Sequence, residues 1–300
     1  MRGRVLKSAV LSVIRRLGYD VVKLGAGASS TGLPAGRDGQ PSSYGAELQR
    51  LREQLAYCQV MRDIHRQDPV EIEELYRTYQ FTDLPRRDGR TRELSELIGT
   101  TVSEAIYLIK YLHDALKISG DICEFGVAQG ATSKLLAAEI LPHGDRKLWL
   151  FDSFEGLPAP SKEDRLINDI FNLGTMEKYQ GTMASPEGEV LDKLASVNFP
   201  RGRTKIKKGW VKDTVTSGDL PTQIAFAYVD FDFHDPIKEA LEFVDPRMPV
   251  GGRIVVDDYG FFSAGAQLAV DGFAAAAGNR FTFALPLPFA GHFCILSKVA

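Results

Sequence analysis

The sequence predicts an α/β fold: a mostly parallel sheet with helices on both faces, an antiparallel edge pair at the C-terminus and a helical extension at the N-terminus. Three observations predict it. The stretch Asp121–Ser133, DICEFGVAQGATS, passes from a short apolar run (Ile122, Cys123, Phe125, Val127) through Gly126 and Gly130 into residues with helical spacing, Leu135, Leu136, Ala138, Ile140 and Leu141. From Asp121 onward strand-like and helix-like runs alternate, the pattern of a parallel sheet with right-handed crossovers. Several strand-like runs end in acids: KLWLFD at Asp152, IAFAYVD at Asp230 and GGRIVVDD at Asp257 and Asp258. In such sheets the ligand sits beyond the carboxyl ends of the strands, where strand order reverses.

Taken in order, residues 1–24 read as a basic amphipathic arm. As a helix it sets Val5, Ala9, Leu11, Val13 and Ile14 against Arg2, Arg4, Lys7, Arg15 and Arg16. That pattern fits a docking or dimerisation arm, giving a homo-oligomer through N-terminal helices; the alternative is contact of residues 1–20 with a membrane surface. Arginines close the apolar stretch, so it does not read as a secretory signal. Residues 25–45, rich in Gly, Ser and Pro, read as a flexible linker.

Residues 46–117 read as a helical cap or dimerisation segment. A helical pattern spans Ala46 to Tyr79, with Asp68 and Pro69 opening its second helix at the N-cap and N1 positions. FTDLPRRDGRTR reads as a polar loop. One or two helices then cover Glu93–Lys117, with Leu108, Ile109, Leu112 and Leu116 on one face. Residues 118–300 hold the sheet. Strands are expected at Ile122–Val127, Lys147–Asp152, Thr204–Lys208, Ile224–Asp230, Gly252–Asp257, Phe281–Leu285 and Phe293–Lys298. Helices are expected at Ser133–Leu141, Gly188–Ala195, Asp235–Phe243 and Ala264–Ala276.

Composition narrows the function classes. Three hundred residues, 44% hydrophobic and 25% charged, suffice for one large domain with an extension. A net charge of −3 argues against bulk nucleic-acid binding, which needs a strong positive field. Cys58, Cys123 and Cys294 lack metal-ligand spacing and read as thiols in a reducing cytoplasm. No run reaches the ~18–20 apolar residues of a membrane span.

The chemistry gathers at strand ends. A glycine turn after a buried strand leaves backbone N–H groups facing whatever lies above the sheet. The carboxylate of Glu124 there suits a ligand carrying donors better than one carrying phosphates. Asp152, about 20–30 residues beyond the turn, is placed to bind both hydroxyls of a ribose. Neighbouring parallel strands lie ~4.8 Å apart, so Asp230, Asp232, Asp257 and Asp258 would share one crevice. Carboxylates gathered there repel unless a cation or proton intervenes. Oxygen donors select a hard ion, Mg²⁺ first, with Mn²⁺ or Ca²⁺ as alternatives. The bland alternative has two of these acids capping helices in water. His234, just before Pro236, reads either as a base or ligand or as a helix-start residue.

EFGVAQGATS, FDSFEGLP, GWVKDTV, YVDFDFHDP and GGRIVVDDYG, in this order, resemble the macrocin-type (TylF/MycF) O-methyltransferases over about Leu97 to Phe273. The resemblance implies a Rossmann-like class I methyltransferase sheet, S-adenosylmethionine as cofactor and a divalent metal. By position it gives Glu124, Gly126 and Gly130 to the methionine and ribose part and Asp152 and Ser153 to the ribose hydroxyls. Gly209 and Trp210 would lie near the adenine, and Ile98–Thr101, with Thr100, would close over the cofactor. The metal falls to Asp230 or Asp232 together with Asp257 and Asp258. Two features depart from the family: Phe231 stands where a glycine is usual, and the lid-like Leu157–Met183 carries Glu177, Lys178 and Tyr179 in place of a histidine.

The implied reaction is methyl transfer to a hydroxyl of a sugar, polyol or other natural-product-like small molecule, with Asp232 or Lys178 taking the proton. Phe231, Phe233, Phe261 and Phe262 point to an apolar part of the acceptor. A nicotinamide-dependent oxidoreductase would want Gly-x-Gly-x-x-Gly, which GVAQG lacks. A catalytically idle module keeping the cofactor pocket is the rival from another class.

Overall fold

Seven strands form one sheet in the order β3-β2-β1-β4-β5-β7-β6. The computed structural model describes residues 69–216 and 218–300. The arm 1–24, the linker 25–45, the first helix expected after Ala46, Asp68 and Cys58 lie outside the described residues.

Among the described residues three helices come first: α1 (Pro69–Tyr79), α2 (Arg90–Ser95) and α3 (Val102–Ala115). The connection between α1 and α2 was expected to be only a polar loop. Instead Phe81 and Leu84 are buried and pack with Tyr76 and Tyr107, so an apolar foot hidden among charges fixes α1 to α3. Then follow β1 (Asp121–Phe125), α4 (Ala131–Ile140), β2 (Leu148–Asp152), α5 (Glu187–Ser196) and β3 (Thr204–Lys208). The second half runs α6 (Val211–Thr214), β4 (Ile224–Val229), α7 (His234–Val244), β5 (Arg253–Val256), α8 (Ala264–Ala277), β6 (Phe281–Ala284) and β7 (Cys294–Lys298).

β1 to β5 are parallel, while β7 pairs antiparallel with β5 and β6 with β7. Alternate strand residues feed two cores, as the period-2 geometry of a strand requires. Ile122, Leu148, Leu150, Tyr228 and Val255 face α1 to α5; Cys123, Phe125, Trp149, Phe151, Val229 and Val256 face α6, α7 and α8. Helix α3 packs on β4 and β5 in the first of these cores, so residues 69–117 and the sheet share apolar contacts. Cys123 and Cys294 are buried free thiols. Among the described residues no helix is long and apolar enough to cross a membrane. Strand order reverses between β1 and β4, which puts the crevice above Phe125 and Val229.

Candidate active site

At that reversal the backbone turns sharply. Gly126 follows β1 with φ of +87°, and a Cβ there would stand 1.8 Å from the Asp230 carbonyl oxygen. The turn therefore lies directly on the end of β4, an approach only glycine permits. Gly130 has φ of +77°, precedes α4 and packs on Val190, where a Cβ would come within 3.1 Å. It does not line the cavity described below, so its place is in the turn rather than against a ligand. Glu124, 1% exposed, accepts a hydrogen bond from Ser133 Oγ. Burial pushes its carboxyl up to about 8, with the Asp152 charge adding and the Ser133 bond opposing.

Asp152 stands at the end of β2, where its Oδ2 accepts from the Val127 and Ala128 N–H groups (2.7 and 3.0 Å) and its Oδ1 from Phe154 N. One carboxylate thus braces the glycine turn and starts the next loop. Ser153 accepts from Glu155 N and donates to the Gly156 carbonyl. Gly209 N donates to the Asp152 carbonyl, tying the ends of β3 and β2. Thr100 and Thr132 hydroxyls meet at 3.1 Å. Glu124, Asp152, Ser153, Gly209, Thr100 and Thr132, with Trp210, line a cavity of about 1090 Å³ that also reaches the strand-end acids. That volume suits a nucleoside cofactor together with a second small molecule.

The acids converge as the parallel register requires. Asp230 N donates to the Phe125 carbonyl and Asp257 N to the Val229 carbonyl, so each acid leaves its strand at the same level. Asp232 and Asp258 have φ of +63° and +55°, a strained setting for non-glycine residues that turns both back into the crevice. One carboxylate oxygen from each of Asp230, Asp232 and Asp258 lies within 4.8 Å of the others. Asp257, named with them from sequence, is turned aside: its Oδ1 accepts from Asp258 N and its Oδ2 lies 3.1 Å from the Tyr228 hydroxyl.

Burial and mutual repulsion push Asp232 up to about 8 and Asp258 up to about 10 and raise Asp230 as well; Asp257 is raised by burial alone, against the hydrogen bonds it accepts and the nearby His292. Among the described residues no Lys or Arg forms an ion pair with any of the four. Three converging hard oxygen donors without a basic partner fit a divalent cation of the Mg²⁺, Mn²⁺ or Ca²⁺ type.

Two residues at the floor were missed from sequence. Glu104, 3% exposed in the first turn of α3, and Tyr228, fully buried on β4, meet at 3.2 Å beneath Asp230 and Asp257. Thr101-x-x-Glu104 reads as a capping box, and Thr101 does accept from Glu104 N. The Glu104 side chain, however, reaches the acids instead of the cap.

The segment 157–183 closes one side. Asp164, also missed, accepts from His234 N and Ser263 Oγ with Oδ1 and from Ser161 N and Oγ with Oδ2. Ile170, Phe171, Met183, Phe233 and Phe261 give the cavity an apolar wall. Lys178 is exposed in a short turn of 3₁₀ helix, Met176–Tyr179, and does not line the cavity, because that turn points Met176 and Tyr179 inward. His234 opens α7 with its ring against Asp235 and is not a lining residue either, in keeping with the helix-start reading.

A seven-stranded sheet of this order, with a glycine turn and an acid-lined crevice at its reversal, defines a Rossmann-like methyltransferase fold. The chain matches the model of the macrocin-O-methyltransferase (TylF) family over residues 107–280, more than half its length, and belongs to that family. Relatives include an 8-demethyl-8-(2,3-dimethoxy-alpha-L-rhamnosyl)-tetracenomycin-C 4'-O-methyltransferase of Streptomyces olivaceus, 30% identical over 47% of this chain and 54% of that protein. A demethyldecarbamoylnovobiocin O-methyltransferase of Streptomyces niveus is 28% identical over 64% of this chain and 74% of its own length. The chain thus spans little more than half of the first of these relatives. Among solved structures, the O-methyltransferase NovP superposes with a TM-score of 0.56 at 21% identity, over 67% of this chain and 81% of that one. The calicheamicin methyltransferase CalS11 does so with 0.50 at 23% identity, over 90% and 99%. Both show the fold.

Proposed function

We propose that the chain is an S-adenosylmethionine-dependent and divalent-cation-dependent O-methyltransferase acting on a hydroxyl of a sugar-bearing small molecule. The observation that carries this reading is the meeting of Asp230, Asp232 and Asp258 oxygens within 4.8 Å, in one cavity with the Gly126 turn. S-Adenosylmethionine, when bound, supplies an activated methyl group; a divalent cation supplies Lewis acidity that lowers the pKa of a hydroxyl.

The chain's own part is positioning. The turn at Gly126 admits a ligand close to backbone, and Glu124, Asp152, Ser153, Thr100, Gly209 and Trp210 surround the nucleoside part of the cavity. Asp230, Asp232 and Asp258 would hold the cation, with Asp257 supporting Asp258 through its backbone N–H. Asp232, which lines the same cavity, would as a carboxylate take the proton leaving the acceptor hydroxyl. Lys178 has no part in this reading because it faces away. Ile170, Phe171 and Phe261 exclude water and receive an apolar portion of the acceptor. One relative is named for the 4'-oxygen of a rhamnosyl-bearing tetracenomycin, which supports a glycosidic sugar as the acceptor class.

The test is transfer of label from methyl-labelled S-adenosylmethionine to a panel of rhamnosides and other vicinal diols. Transfer that stops with EDTA and returns with Mg²⁺ or Mn²⁺ is expected. Transfer indifferent to EDTA would remove the cation from the reading, and cofactor binding without transfer to any diol would favour the idle module.

A further inference from the structure

We infer that Tyr228 is a positioning residue for the cation-binding acids, anchored from behind by Glu104; the inference rests on the cation reading above. The Tyr228 hydroxyl lies 3.1 Å from Asp257 Oδ2, 3.2 Å from Glu104 Oε1 and 3.3 Å from Asp230 Oδ2. A phenol offers one proton and two lone pairs. Here that small inventory is shared among groups from three separate elements: β4, the end of β5 and the first turn of α3.

The placement follows from the sheet. Tyr228 on β4 and Asp230, one residue beyond its end, are two apart and share a face, and Val255, the partner of Tyr228 on β5, puts Asp257 on that face too. Beneath a cation held by Asp230, Asp232 and Asp258, the Tyr228 ring fills the core and leaves only its oxygen at the rim. Asp257 then links Tyr228 to Asp258: Oδ2 meets the phenol while Oδ1 fixes the Asp258 backbone N–H at 2.7 Å. Asp258 sits at φ of +55°, a conformation that needs such external support. Losing the phenolic oxygen would leave Asp230 and Asp257 without the group that sets their spacing. Outer partners of metal ligands commonly change affinity by about 10–100-fold.

The experiment is a Mn²⁺ titration of the full chain with S-adenosylhomocysteine present, read by water-proton relaxation or calorimetry. Tyr228→Phe is expected to weaken Mn²⁺ at least tenfold, while S-adenosylhomocysteine affinity without metal stays within twofold of the parent. Glu104→Gln, which keeps shape and hydrogen bonding, is expected within threefold of the parent; Glu104→Ala is expected to resemble Tyr228→Phe. A merely structural role would lower the melting temperature and leave the Mn²⁺ affinity of the folded chain unchanged. If Tyr228→Phe binds Mn²⁺ within twofold of the parent while Asp258→Asn abolishes binding, the positioning role is wrong and the cation site stands. If the parent itself binds no Mn²⁺, both fall.

Discussion

The two ends of helix α3 enter two buried clusters of ionisable groups built in opposite ways. At its last turn His113 joins Glu139, which also takes hydrogen bonds from Arg87 and from both Nε and a terminal nitrogen of Arg90; Arg90 in turn reaches Glu73. Burial alone would push the Glu139 carboxyl up, yet the bonds from Arg90 and His113 and the two arginine charges outweigh it and hold it at about 2. At the first turn of α3, Glu104 joins Asp230, Asp257 and Tyr228, with Asp232 and Asp258 alongside. There burial outweighs the hydrogen bonds the acids share, no lysine or arginine offsets it, and every carboxyl is raised. One cluster is electrically complete and ties α2, α3 and α4 together. The other gathers acids with no lysine or arginine paired to them among the described residues, and it is the one that opens on the cavity. Such contrast separates a structural ion network from a binding site better than burial does, since both clusters are buried.

Substitutions that break each cluster should separate them sharply. The largest effect is expected for Asp258→Asn: loss of measurable Mn²⁺ binding and a fall in methyl transfer of about a thousandfold, consistent with removal of a group acting on developing charge. Stability should change little or rise, because one mutual repulsion is gone. Arg90→Met should do the reverse. Leaving Glu139 without its main partner is expected to cost about 3–5 kcal/mol in urea unfolding, with activity per folded molecule preserved.

Acidity sharpens the same comparison. Glu139 is ionised in the folded state down to about pH 2, against 4.5 for the free side chain, so its stabilisation is present above pH 4.5 and is lost as pH falls towards 2. Asp232 behaves oppositely: between its ordinary 3.8 and about 8 the folded chain holds a proton that the unfolded chain has released. Stability of the metal-free protein should therefore fall as pH rises across that window, and Mn²⁺ should restore it most at the alkaline end. Melting curves at pH 5, 6.5 and 8, with and without Mn²⁺, check both directions. The smallest effect belongs to Ser133→Ala, which removes the hydrogen bond that fixes Glu124. A bond worth about 1 kcal/mol predicts roughly fivefold weaker S-adenosylhomocysteine binding by calorimetry.

Much of this architecture was legible because period and punctuation agree. The seven strands fall within one or two residues of their expected limits, and α4 begins only two residues early, since Gly130 in the left-handed region already starts it. The acids at Asp230, Asp232 and Asp258 were legible because parallel register must bring strand ends together. Tertiary contacts decided the rest. Phe81 and Leu84 were hidden in a stretch dominated by charge. Glu104 was disguised by its place in a capping box, and Tyr228 looked like one more apolar strand residue. Asp164 stood alone in a polar segment, with nothing local to show that its carboxylate meets the starts of two helices, or that Gly265 is glycine because a Cβ would lie 1.9 Å from it. Lys178 was chosen by alignment with a lid, and the turn that buries Tyr179 points it outward.

The sharing of one cation by the strand-end acids is the proposal on which the rest depends. It is tested most directly by a crystal of the full chain grown with Mn²⁺ and S-adenosylhomocysteine, measured near the manganese absorption edge. A single anomalous peak is expected among Asp230, Asp232 and Asp258, absent in Asp258→Asn. A crystal with the cofactor product in place and no peak between those three carboxylates would contradict it.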